Sequence, residues 1–110
     1  MCFTNYASTK ELGSKKGNLL PLTVKLTAST VFKEIKKYLN DSGYEEVVAR
    51  EDYLDLFGVK NDFEISINIV SSEGKSFISI SCYCEKRRFT TKKTLINVYN
   101  EIENLFERYR

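Results

Sequence analysis

Two stretches of strict alternation, one on each side of a short connection, constrain this chain more than any other feature. Phe63, Ile65, Ile67 and Ile69 are separated by Glu64, Ser66 and Asn68. Beyond Ser71-Ser72-Glu73-Gly74-Lys75, the residues Ile78, Ile80, Cys82 and Cys84 alternate with Phe77, Ser79, Ser81, Tyr83 and Glu85. Successive side chains of a strand point to opposite faces, so each run has one apolar face and one mostly polar face. A short glycine-containing connection between two such runs makes a hairpin. The chain must therefore build an antiparallel sheet and supply something apolar to cover one side of it.

Two segments carry the helical period that does this. In the first, Phe32, Ile35 and Leu39 form a stripe that Val31 and Tyr38 widen, while Lys33, Lys36 and Lys37 face water. Ser29 and Thr30 are the expected caps at its start. Gly43 is the expected left-handed residue after its end, with Tyr44 making the apolar contact of a Schellman ending. The second segment starts near Thr91. Leu95, Val98, Ile102, Leu105 and Tyr109 recur at helical spacing with Tyr99 and Phe106 beside them, which predicts a helix of about five turns.

The remaining strands are shorter. Leu20, Leu22, Val24 and Leu26 alternate with Thr23, Lys25 and Thr27, with Pro21 near the start where a strand tolerates it. Glu46-Val47-Val48-Ala49 reads as a short strand. Tyr53 to Phe57 reads as another, closed by Gly58 and followed by a turn at Lys60-Asn61-Asp62. The expected architecture is α+β and two-layered. An antiparallel sheet of four to five strands carries two helices on one face, in the order β-α-β-β-β-α. Residues 19–110 form this single domain. Residues 1–18 hold few apolar side chains and read as a flexible lead-in.

Composition narrows the function classes. A chain of 110 residues is one domain, large enough for a core without metals or disulfides. No apolar stretch approaches the roughly 20 residues of a membrane span. The net charge of +2 is too balanced to imply a nucleic-acid partner. The absence of histidine removes the commonest general base and the commonest metal ligand together, which argues against an enzyme. Nor is there a Gly-x-Ser-x-Gly nucleophile motif or a glycine-rich phosphate loop. Of the three cysteines, Cys82 and Cys84 share a strand face and read as reduced core residues without a metal.

Three groups of residues are candidates for function. The uncovered sheet face sets Phe77 and Tyr83, with Tyr53 and Phe57, among Ser66, Asn68, Ser79 and Ser81, a mixture suited to a protein partner or a second copy. The basic run Lys86, Arg87, Arg88, Lys92 and Lys93 spans a strand end and a helix start, where an anion is favoured. The carboxylates Glu45, Glu46, Glu51, Asp52 and Asp55 lack the spacing of a calcium loop and read as a charged surface strand.

The element order resembles a small helix-grip domain. The resemblance runs from Leu22-Thr23-Val24-Lys25-Leu26 into Ser29-Thr30-Val31-Phe32, through Leu39 to Gly43-Tyr44, and on to the hairpin and last helix. Such domains occur in bacterial envelope lipoproteins, including an accessory lipoprotein of the outer-membrane β-barrel assembly machinery. The resemblance carries no signature motif and transfers no functional residue; a ferredoxin-like or another two-layer arrangement fits the same elements. It does give Cys2 a meaning, as the lipid-bearing residue of a processed lipoprotein followed by a polar tether. Without an apolar leader in residues 1–18, the default expectation is a cytoplasmic protein.

The expected function is thus a non-enzymatic protein-interaction or assembly module, acting on a protein partner or as a homo-oligomer, with no cofactor. The alternative is an anion or nucleic-acid binder using residues 86–93.

Overall fold

The protein, in a computed structural model, is described over residues 4–9, 21–88 and 90–109, with 87 and 88 described as backbone alone. Its strands are β1 (Thr4–Ser8), β2 (Leu22–Val24), β3 (Glu45–Arg50), β4 (Asp55–Lys60), β5 (Phe63–Ser72) and β6 (Lys75–Arg88). The helices are α1 (Ala28–Asp41) and α2 (Thr91–Leu105), and a single 3-10 turn, Glu107–Tyr109, follows α2. The fold is α+β, as the alternation requires, with every strand pair antiparallel.

The sheet has six strands where four to five were expected. Its order is β1-β6-β5-β4-β3, and β2 also pairs with β6. The fourteen-residue β6 is long enough to take two partners in series on one side. Tyr6, Ala7 and Ser8 lie opposite Tyr83, Cys82 and Ser81, and Leu22, Thr23 and Val24 lie opposite Ile78, Phe77 and Ser76. For residues 4–8 this corrects the reading as a flexible lead-in. Residues 4–8 are a strand of the sheet, held because β6 offers them unpaired backbone groups and because Ala7 enters the core. Of the strand expected from Leu20, only Leu22–Val24 pairs; Leu20 and residues 10–18 lie outside the described residues.

Two tight hairpins align β4, β5 and β6. Asn61 and Asp62 have φ of 54° and 69°, and Glu73 and Gly74 have 49° and 79°. Each pair forms a two-residue loop between opposed residues, Lys60 and Phe63 in one case and Ser72 and Lys75 in the other. Positive φ at both central positions is the type I′ geometry, whose twist matches that of the flanking strands.

Both helices lie on one face of the sheet, and the core is sandwiched between. Val31, Phe32, Ile35 and Leu39 of α1 and Leu95, Val98, Tyr99 and Ile102 of α2 are buried there. Opposite them are Leu56, Ile65, Ile67, Ile69, Ile78, Ile80, Cys82 and Cys84. The cysteines at 82 and 84 are free and buried. Burial, together with the neighbouring Cys84, pushes the Cys82 thiol up to about 12. Cys2 lies outside the described residues.

Local details depart from the sequence pattern in four places. The cap of α1 is Thr27, whose side chain accepts from the Thr30 N–H at 3.4 Å, instead of Ser29 or Thr30. Ala28 is already helical and buried, so the extended residue before it takes the capping role. Gly58 sits inside β4 instead of closing it. A side chain there would meet Tyr44 at 3.2 Å, so the ring of Tyr44 occupies the space a larger residue would need. Tyr53 belongs to the turn before β4, not to the strand. Finally, α2 ends at Leu105, after about four turns. Leu105 and Tyr109 are exposed and Phe106 is buried in their stead, because the chain tightens after the helix. The Lys25 N–H then donates to the Tyr109 carbonyl at 2.6 Å and ties this end to the chain just after β2.

The predicted end of α1 holds. Gly43 has φ of 83°, and the Tyr44 N–H reaches back to the Leu39 carbonyl at 3.3 Å, which is the long bond of a Schellman motif.

Candidate functional site

With both helices on one side, no described element covers the other face of the sheet. The strand register fixes what stands there, in rows that cross the strands. Tyr6, Tyr83, Glu64 and Val59 form one row. The next is Ser8, Ser81, Ser66, Phe57 and Val48. Then come Ser79, Asn68, Asp55 and Arg50, and after them Thr23, Phe77 and Val70. The two middle rows begin with small polar side chains, whereas both outer rows carry large ones. A floor of small residues bordered by large ones is a depression, and the structure has a recess of about 620 Å³ there. Tyr6, Ser8 and Thr9 line one side of it and Val48 and Arg50 the other, over Ser66, Asn68, Ser79 and Ser81. A second recess of about 590 Å³ continues past Val48 and Phe57 toward Glu46, Glu64, Glu85 and Lys86.

One ion pair stiffens the β3 side. Arg50 Nε donates to Asp55 Oδ1 at 2.9 Å and Nη2 to Oδ2 at 2.5 Å, so the pair is bidentate. The guanidinium also lies over the Tyr53 ring, 4.8 Å from its centre. The hydrogen bond from Arg50 holds the Asp55 carboxyl below its usual range, and Asp55 in turn raises the Arg50 guanidinium. On the opposite side, the Ile80 N–H donates to Thr9 Oγ1 at 3.3 Å and fixes the point where the chain leaves β1.

The predicted surface residues are gathered here in part. Tyr83, Phe77 and Phe57 all stand on the open face, Tyr83 exposed and the phenylalanines half-buried. Tyr53 is displaced to the rim, 67% exposed in its turn. The face also uses Tyr6, Ser8 and Thr9, which sequence reasoning assigned to a lead-in, and Arg50, which it passed over. No periodicity in residues 4–9 signalled the first three.

The basic run is less compact than its spacing suggests. Lys86 is exposed near the end of β6, and Lys92 and Lys93 are exposed in the first turn of α2. The side chains of Arg87 and Arg88 lie outside the described residues. Among the acidic residues, Glu45, Glu46, Glu51 and Asp52 are exposed and Asp55 is held by Arg50. Among the described residues, no group of three or more Cys, Asp or Glu side chains is placed to hold a metal ion, and no helix is long and apolar enough to cross a membrane. No protein-family model matches the chain, and no curated protein matches it.

Proposed function

We propose that this chain is a non-enzymatic interaction module that seats a protein partner on the open face of its sheet. The observation that carries this reading is the polar floor bordered by Tyr6, Tyr83, Phe57 and Phe77. Tyr6, Val48, Val70 and Tyr83 are exposed on this one face, and aromatic and aliphatic side chains around a recess are what a protein partner buries. The floor offers hydroxyl and amide groups for the hydrogen bonds such a contact needs. The chain contains no histidine to activate those hydroxyls as nucleophiles.

A second reading places an anion at the start of α2. Thr90 makes no side-chain cap, the first turn holds no acidic residue, and Lys92 and Lys93 flank it.

A photo-crosslinker replacing Ser66 in the floor tests the first reading, against one replacing Lys36 on the outside of α1. Three versions of the Ser66 protein are compared: the parent, Phe77→Ser with Tyr83→Ser, and Arg87→Glu with Arg88→Glu. A discrete crosslinked protein at Ser66 alone, lost with the aromatic pair and kept with the charge pair, supports the face. Salt-sensitive binding of an unstructured polyanion by the parent, lost with the charge pair and kept with the aromatic pair, supports the second reading. A crosslinked band of twice the chain's mass identifies a second copy as the occupant.

A further inference from the structure

We propose that β3 accepts a cationic, extended segment of a partner protein as an added strand. This surface is the edge of the sheet, distinct from the open face argued above. The two edges of the sheet are finished differently. One side of β6 is taken by β1 and β2 in series, and the Thr4 carbonyl of β1 accepts from Thr91 Oγ1 at 2.7 Å. The other edge is β3, which pairs with β4 and with no other described strand. Alternate residues of such a strand present an N–H and a C=O outward, ready to pair. Edges are usually blunted by charged side chains, lysine above all, by proline, by bulges or by a covering element. β3 has neither lysine nor proline, and its charged residues are Glu45, Glu46 and Arg50. Its one bulge falls between Glu45 and Val48, with Glu46 at φ 52°, and leaves Val48, Ala49 and Arg50 in regular register with β4.

Charge selects the occupant. Glu45, Glu46, Glu51, Asp52 and Asp55 surround this edge, and its single base, Arg50, is already engaged by Asp55. A second copy pairing through the same strand would bring the same excess of carboxylates to the contact, which charge disfavours. The edge is therefore protected against itself and open to a basic strand. Exposed Val48 gives that strand an apolar neighbour on the face where the two recesses meet. The fitting segment alternates basic and apolar side chains, with main-chain bonds supplying affinity and alternate side chains supplying selection.

The test uses the full chain and three fluorescent octapeptides, alternating lysine with valine, lysine with glycine, and glutamate with valine. Anisotropy should show the lysine–valine peptide binding at least about tenfold more tightly than the other two, an effect that weakens with salt. Amide exchange at residues 47–50 should slow in that complex. Binding should survive Phe77→Ser with Tyr83→Ser, which separates this edge from the open face, and should fall with Glu45→Lys, Glu51→Lys and Asp52→Lys together. Equal binding of the lysine–glycine peptide would reduce the effect to bulk charge and overturn the proposal. So would absence of binding, or a complex that slows exchange only outside residues 47–50.

Discussion

The Tyr38 hydroxyl donates a hydrogen bond to the Glu101 carboxylate, joining the two helices through their C-terminal halves. Burial, and then this bond, raise the Tyr38 phenol well above its ordinary range. The ring also leans on Tyr44, with centres 6.1 Å apart, so the link reaches the loop that follows α1. Comparing Tyr38→Phe, Glu101→Gln and the double variant by denaturant unfolding should give a coupling of about 1 kcal/mol. Additive effects of the two substitutions would show that the bond contributes nothing.

Gly58 should tolerate a methyl group poorly, although its backbone is ordinary strand. The obstacle is Tyr44, 3.2 Å from where the new carbon would stand. Gly58→Ala should cost roughly 1–3 kcal/mol, as overpacking does. Tyr44→Ala in the same chain should remove most of that added cost, leaving only its own. A Gly58→Ala protein as stable as the parent would sink this account of the glycine.

Asp55 should titrate below the usual aspartate value of 3.8, because Arg50 hydrogen-bonds its ionised form. The contribution to stability is therefore present above that value and is lost as the pH falls through the lower folded one. The pair is open to solvent, so the effect on stability should be small. Carboxyl NMR titration of the parent and of Arg50→Gln reads it directly. The midpoint should rise in the variant, and an unmoved midpoint would mean that Arg50 does not hold the carboxylate in solution.

Alkaline pH should destabilise the protein. The thiol of Cys82 and the phenols of Tyr38 and Tyr44 all lose their protons less readily when folded, chiefly because burial disfavours the charged form. An unfolded chain releases the Cys82 proton near its ordinary 9.0, whereas the folded chain holds it to about 12. Stability is intact below the first value and falls between the two. Melting temperatures measured from pH 7 to pH 11 should decline above about pH 9, and less steeply in Cys82→Ala. Identical slopes for parent and variant would remove Cys82 from the account.

Much of the fold was legible because its residues answer to local rules. The alternation of Ile65, Ile67 and Ile69 with Ser66 and Asn68, and of Ile78 and Ile80 with Ser79 and Ser81, names both faces before any partner is known. Gly43 and Tyr44 end α1 as their types require. The open face was visible in the same way, since Phe77 and Tyr83 occupy the positions that the core residues leave. Thr4–Ser8 was not legible. Five mostly polar residues have no periodicity of their own, and they form a strand because β6 presents an unpaired edge beside them. Gly58 misled for the opposite reason. Glycine reads as a strand end, and only the position of Tyr44 makes it an interior residue.

The sequence alone determined which side chains face inward, because a period of two or of about 3.6 fixes direction along an element without reference to any other. It could not determine which strands lie side by side, since pairing joins residues as far apart as Tyr6 and Tyr83 and depends on backbone groups that every residue shares. That pairing decided everything specific about the surface. It set Ser8 beside Ser81 and Ser66 to make a floor, placed Arg50 opposite Asp55 at its border, and left β3 as the edge without a neighbour.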